Sequence, residues 1–293
     1  MWDLADNRRR HVRLGLVRGF VLLIRGGTVV DGDGARRADV LIDGQSIAAV
    51  GERLEATGAE TLEAAGALVI PGGIDVHTHF DLSVGAVRSA DDFQTGTIAA
   101  ACGGTTCVID FAGAGREGRD DALRIWHAKA NGRAVVDYGF HLTLTSVPED
   151  AEEAQALFRS FLDRGVASVK LYMAYPDRLM VDDATIGRAL SASRETGVLV
   201  CVHAEDGASV ERRVAEAMGA GRKHPGWIPE VRPPEVEAEA IRRAAALAAE
   251  AEAPLYVVHL SSAEGLKAVR SARTEGPPPV FAETCPQYLF LTS

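Results

Sequence analysis

The sequence lacks the marks of several common protein classes. Its 293 residues hold only four cysteines, Cys102, Cys107, Cys201 and Cys285, and no two form a C-x-x-C pair. Cys201 and Cys285 lie in apolar, strand-like runs, so the cysteines are expected as buried, reduced thiols of a cytoplasmic protein. No apolar run reaches the ~18 residues of a membrane helix. Positive charge is in the minority, with 31 Lys and Arg against 41 Asp and Glu and a net charge of -10. That balance disfavours nucleic acid, whose phosphates need basic patches, and suits neutral or cationic small molecules. No Gly-rich dinucleotide fingerprint is present, because Gly103-Gly104 precedes an apolar run rather than opening a helix after one. Residues 1–20 carry Arg8, Arg9, Arg10, Arg13 and Arg18 but no continuous apolar segment and no small-residue cleavage site. They fail as a signal peptide and are expected to be an N-terminal extension.

What is present reads as two kinds of structure. The length suits one large domain, alone or with a small one. Over residues 21–67, short apolar runs are separated by tight turns, among them Asp31-Gly32 and Asp43-Gly44. A D-G dipeptide between alternating apolar runs signals a hairpin, so this part is expected to be a partial β-sandwich. Over residues 68–293 the rhythm becomes strand and helix in turn. Seven apolar runs stand out: Leu68–His77, Thr105–Ala112, Tyr138–Thr145, Ala167–Met173, Val198–Ala204, Leu255–Leu260 and Pro279–Thr284. Helical patterns lie between several of them, for example Ala151–Arg164 and Glu235–Glu252, the latter after Pro233-Pro234. Strands apolar on both faces, alternating with helices, indicate a parallel sheet under helical cover. The fold class is therefore α/β, a (β/α)8 barrel with its last unit missing. An open doubly wound sheet is the alternative.

Four histidines sit at matching strand ends. His77 and His79 are two apart, so on a strand they share one face. His203 and His259 each close a later Val-rich run. One such histidine is more often structural than a ligand, but four at the end of a barrel where active sites form point to metal. Lys170 lies inside an apolar run, where an unpaired ammonium is costly. It either pairs with a carboxylate or has reacted with CO2 to become an anionic carbamate able to bridge two metal ions.

These motifs carry a family resemblance. The stretch from Gly72 to Asp81, with Asp75-Val76-His77-Thr78-His79 at its centre, resembles the metal motif of the cyclic amidohydrolases. Ser168-Val169-Lys170-Leu171-Tyr172-Met173-Ala174-Tyr175 resembles the carbamylated-lysine strand of the dihydropyrimidinase/D-hydantoinase branch. Val202-His203-Ala204-Glu205, Arg232-Pro233-Pro234-Glu235, Val257-Val258-His259-Leu260-Ser261-Ser262 and the segment Glu283–Leu289 resemble that branch in order.

The resemblance implies hydrolysis of a cyclic amide C–N bond, in a dihydropyrimidine or 5-substituted hydantoin. It implies two divalent ions, zinc before manganese, cobalt or nickel. His77 and His79 would hold the more buried ion, His203 and His259 the second, and carbamylated Lys170 would bridge them. Tyr175 would donate to the substrate carbonyl oxygen, and the loop Leu82–Asp92 would select the ring substituent. A small cyclic amide or imide substrate and a homo-oligomer are expected, with no nucleic acid and no membrane. Dihydroorotase fits less well, since Phe80 follows His79 where that enzyme's motif has an Arg. Allantoinase fits less well at Tyr175. A non-catalytic assembly relative would be expected to have lost the ligands. Family members also bring an Asp from an eighth strand as metal ligand and acid/base. No candidate for it follows His259, so the sequence is expected to be a fragment, a premature stop or a chain completed by another.

Overall fold

The computed structural model describes residues 21–113, 119–176 and 178–291. The extension expected over residues 1–20 lies outside them. The chain divides into two compact units between Gly72 and Gly73.

The first unit is one mixed sheet. Its strands are β1 (Val21–Asp31), β2 (Gly34–Asp43), β3 (Ser46–Gly51), β4 (Glu60–Glu63) and β5 (Leu68–Val69). They run in the order β3-β2-β1-β4, with β5 also paired to β1. Both D-G signals become two-residue hairpin loops: Asp31 pairs with Gly34, and Asp43 with Ser46. Gly44 has φ +59, a conformation glycine adopts without steric cost. Val29, Ala38 and Val40 form the buried cluster of this sheet.

In the second unit β6 (Gly73–Thr78) is followed by a small hairpin, β7 (Ser83–Val84) and β8 (Val87–Arg88). Then come α1 (Phe93–Cys102), β9 (Thr105–Ala112), α2 (Arg119–Ala130), β10 (Asp137–Thr143), α3 (Ala151–Leu162), β11 (Ser168–Tyr172) and α4 (Asp183–Thr196). They continue with β12 (Leu199–His203), α5 (Gly207–Gly219), α6 (Ile228–Val231), α7 (Pro234–Ala251), β13 (Leu255–Val257), α8 (Ala263–Thr274) and β14 (Val280–Ala282). The large sheet has seven strands in the order β14-β13-β12-β11-β10-β9-β6. Every pairing in it is parallel. Strand order equal to chain order is the winding of a (β/α) barrel; a doubly wound sheet reverses direction partway. The chain therefore has the barrel class of fold, and the doubly wound alternative falls away.

Each element follows from local chemistry. The five residues of β11 are all buried, as a central parallel strand covered on both faces requires. Asp92, Asp150, Asp182 and Ser262 cap α1, α3, α4 and α8 through side-chain oxygens, which satisfies amide groups that a helix start leaves free. Phe93, Phe158 and Phe161 are fully buried in the main cluster, each worth ~1.5–3 kcal/mol relative to exposure.

Two details differ from expectation. The apolar run Leu68–His77 is not one strand, because Leu68 and Val69 pair with Thr28 and Val29 in the small sheet, and β6 starts only at Gly73. Pro71, which cannot donate to a ladder, and Gly72 separate them. The cysteines are free, as expected, but only Cys201 is buried. Cys102 ends α1 on the exposed side, and Cys285 follows β14 rather than lying in it. Among the described residues no helix is long and apolar enough to cross a membrane.

Candidate metal centre

Strand alternation brings the singled-out residues to one side of the large sheet. His77 and His79 leave the end of β6, with their Nε2 atoms 3.2 Å apart. His203 ends β12 and His259 follows β13, with His203 Nδ1 2.9 Å from His259 Nε2. The rings of His77 and His259 lie 5.2 Å apart and join the two pairs. Lys170 stands opposite Cys201, and Tyr172 opposite His203, in the β11–β12 register. Among the described residues no three His, Cys, Asp or Glu side chains gather as one ready-made metal cage. The imidazoles are grouped two and two.

Lys170 lies between them. It is 1% exposed. Its ammonium meets the rings of Phe111 and Tyr172, each with its centroid 5.0 Å away. Phe111 in turn packs 4.5 Å from His77 and 5.0 Å from His79, and Tyr172 5.4 Å from His203. No carboxylate among the described residues pairs with Lys170, so the carboxylate-paired alternative finds no partner there. Burial lowers its amine to about 7 from an ordinary 10.5, against the weaker pull of Cys201 and Glu283. Burial also depresses His79 to about 3, helped by the charges of His77 and Lys170. His259 falls to about 2 through burial and then Lys170 and His203. All these shifts favour neutral nitrogen bases, the form in which histidine ligates metal.

Tyr175 lies just past β11 with φ +66, and His259 has φ +41. Left-handed backbone at bulky residues costs ~1–3 kcal/mol and persists where surrounding structure enforces it. The Tyr175 ring stands 5.1 Å from that of His203. Its turn is pressed from behind by Gly207, where a Cβ would come within 2.8 Å of Ala174 Cα and 2.9 Å of the Met173 carbonyl. The expected substituent loop contains the β7–β8 hairpin, anchored where Arg88 contacts Asp81 and Lys129 Nζ donates to the Asp81 carbonyl at 2.9 Å.

Several functional neighbours received no role from the sequence. Glu283, just past β14, accepts from His77 Nδ1, from the Tyr256 hydroxyl at 3.0 Å and from the His259 amide at 3.3 Å. Glu205 contacts His203 Nε2 at 3.2 Å and accepts from Arg232 at 2.5 Å. Arg232 also lies 5.3 Å from the Tyr175 ring centroid. Burial opposes ionisation of both glutamates, but the hydrogen bonds they accept outweigh it and hold both carboxyls below their usual range. Glu237 on α7 accepts from the amides of Ser261 and Ser262 at 2.8 and 2.9 Å and from both hydroxyls, which fixes the turn after His259. Asp110 takes Thr78, Phe80 and Trp126 as donors and holds the other face of the His77–Phe80 segment. His141 is a histidine of the interior with a structural task, with one nitrogen 2.5 Å from Ser168 Oγ and the other 2.9 Å from the Val76 carbonyl. Position was the available signal: Glu205 stands two residues after His203, and Asp110 interrupts an apolar strand.

A parallel barrel-type sheet with paired histidines at its strand ends defines a class, and comparison with known proteins names it. Residues 68–229 match the model of the amidohydrolase family, and the chain belongs to that family. Within it the similarity runs to the hydantoinase and dihydropyrimidinase branch. The chain is 44% identical to a D-hydantoinase of Geobacillus stearothermophilus over 270 residues, which cover 92% of this chain and 57% of that protein. Its fold matches the crystal structure of a dihydropyrimidinase from Brevibacillus agri with TM-score 0.88 and 43% identity, over 93% of this chain and 59% of that one. An L-hydantoinase (dihydropyrimidinase) from Arthrobacter aurescens matches with TM-score 0.78 and 28% identity, over 93% of this chain and 60% of that one. The chain thus spans under two thirds of the length of these relatives.

Proposed function

We propose that this chain carries the metal-binding part of a hydrolase that opens a cyclic amide ring, a dihydropyrimidine or a 5-substituted hydantoin. The carrying observation is the pair of imidazole pairs flanking a buried lysine that has no carboxylate partner among the described residues.

The donor set fits two ions. Tetrahedral zinc with nitrogen ligands at ~2.0–2.1 Å sets those nitrogens ~3.3 Å apart. The observed separations are 3.2 Å for His77/His79 and 2.9 Å for His203/His259. Buried His79 Nδ1 has no hydrogen-bond partner among the described residues. His77 and His79 would hold one ion and His203 and His259 the other. An imidazole and carboxylate donor set suits zinc first, then manganese, cobalt or nickel. Bound ions would polarise the scissile carbonyl and make water a nucleophile near neutral pH.

Lys170, as a carbamate, would supply an anionic oxygen ligand to the ions. The neutral amine attacks the carbon of CO2, a π pair moves onto oxygen, and the nitrogen releases a proton. An amine lowered to about 7 is ready for this step, and the product replaces a buried cation by an anion between two cation sites. Tyr175 donates its hydroxyl to the carbonyl oxygen as negative charge develops there. A cytoplasmic setting suits the four free thiols, which reducing conditions preserve.

The test is turnover in a protein of the relatives' full length containing this chain. Dihydrouracil and hydantoin are expected as substrates, dihydroorotate and allantoin not. Tyr175→Phe should lower kcat by roughly 10²–10³, as loss of one oxyanion donor does, with metal content unchanged. Preference for dihydroorotate or allantoin would overturn the substrate assignment.

A further inference from the structure

Two glutamates support the two imidazole pairs, and they do so through opposite ring nitrogens. Glu283 meets His77 at Nδ1. Glu205 meets His203 at Nε2, 3.2 Å away. An ionised carboxylate can only accept, and a guanidinium can only donate. Arg232 donates to the same Oε2 of Glu205 that faces His203, so that oxygen is an acceptor toward both neighbours. The Tyr256 hydroxyl and the His259 amide likewise donate to Glu283. In each contact the proton must therefore sit on the histidine nitrogen that faces the glutamate. The other nitrogen is left with a lone pair: His77 Nε2 facing His79 Nε2 at 3.2 Å, and His203 Nδ1 facing His259 Nε2 at 2.9 Å.

We propose that Glu283 and Glu205 are positioning residues that preset opposite tautomers, Nδ1–H in His77 and Nε2–H in His203, so that a bare nitrogen faces inward at each end of the site before any ion arrives. The use of those nitrogens as ligands rests on the two-metal reading; the tautomers themselves do not. The two carboxylates are anchored by different side chains and share one point, the His259 amide that donates to Glu283. Glu205 is tied to Arg232, beside Tyr175, whereas Glu283 is tied to Tyr256 on β13. Removing one glutamate should free one histidine and leave the other fixed. Carboxylate partners of ligating histidines typically change metal affinity 10–100-fold.

The experiment combines tautomer and stoichiometry. Metal-free protein labelled with ¹⁵N-histidine is examined by two-bond imidazole correlation spectra, with His77 and His203 assigned by substitution to Gln. Wild type should show Nδ1–H for His77 and Nε2–H for His203. Glu205→Ala should scramble His203 alone, Glu283→Ala should scramble His77 alone, and Glu→Gln at each position should restore the tautomer in part through the amide oxygen. Circular dichroism shows whether each variant folds, and the isosteric Gln variants cover an Ala variant that does not. Zinc titration should then show two ions on wild type and a 10–100-fold loss at one of them in each Ala variant. Unchanged tautomers in folded Ala variants, or the opposite tautomers in wild type, would overturn the proposal. Wild type with the stated tautomers but no bound zinc would overturn the two-metal reading and leave the tautomer assignment standing.

Discussion

A buried ammonium without a paired counter-charge is unfavourable, and Lys170 meets this cost with two aromatic faces and the weaker pull of Cys201 and Glu283. Reaction with CO2 removes the cation. Native mass spectrometry of the metal-loaded protein should therefore find the mass of one CO2 added, absent from Lys170→Ala. That variant should lose its metal, and bicarbonate should not restore it; full occupancy without the lysine would refute the bridging role. The neighbouring histidines make a pH prediction for the metal-free chain. Folded His79 and His259 titrate near 3 and 2, against 6.5 for the free side chain. Below pH 6.5 the unfolded chain takes up protons that the folded one refuses, so stability falls as pH drops from 6.5 toward 3. The slope approaches ~1.4 kcal/mol per pH unit for each histidine. Lys170 adds a loss of the same sign between pH 10.5 and about 7. Thermal melts at pH 7, 5.5 and 4.5 test this; a flat Tm would show that the imidazoles are already charged or solvated.

At the scale of elements, the loops beyond the strands decide where the ligands point. His259 follows β13 in a left-handed conformation, and Glu237 reaches across from α7 to hold Ser261 and Ser262. Glu237→Ala leaves these amides and hydroxyls without their shared acceptor. It should cost ~1–3 kcal/mol and speed hydrogen exchange at Ser261 and Ser262. Unchanged exchange there would mean that the turn holds itself. The strands behind these loops were legible from the sequence, because a covered parallel strand is an uninterrupted apolar run, and all seven runs overlap observed strands, the first of them spanning two. The ligand candidates stood out for the same reason, the histidines as polar residues at or beside a run's end and Lys170 as a cation inside one. Glu205, Glu237 and Glu283 did not. Glu205 and Glu283 lie in loops and Glu237 in the first turn of α7, where an acidic residue is ordinary, and their partners include Arg232, His77 and Ser261, 27, 206 and 24 residues away. The break at Pro71-Gly72 was visible as a dipeptide, but nothing local told that Leu68 and Val69 would join another sheet.

For the whole molecule, the end strands of the large sheet matter most. Among the described residues β6 and β14 each have one sheet neighbour, and unpaired strand edges invite association. Ile74 on β6 is 64% exposed and Phe290, beyond β14, 83%. The 293-residue polypeptide should therefore self-associate with rising concentration in sedimentation velocity, and monodispersity at high concentration would contradict this. Its chemistry should be incomplete as well. Glu205 and Glu283, the carboxylates in contact with the histidine rings, are already engaged, so neither is free to shuttle a proton. A positioned acid or base contributes ~10²–10⁴ in rate. This polypeptide should bind zinc yet turn over hydantoin at least that much more slowly than a protein of the relatives' full length. Equal rates would show that a described residue supplies the proton.

The winding of the large sheet also orders its assembly in time. Each strand pairs with the one before it, so the sheet can grow as the chain leaves the ribosome. The link from His77 to Glu283 is the exception, since it closes a loop of 206 residues, a contact whose entropic cost is met only after the intervening strands are in place. During synthesis His77 waits for its Glu283 contact while Asp110 already holds the segment around it, and ion capture by a nascent chain would report that the sheet has reached β14.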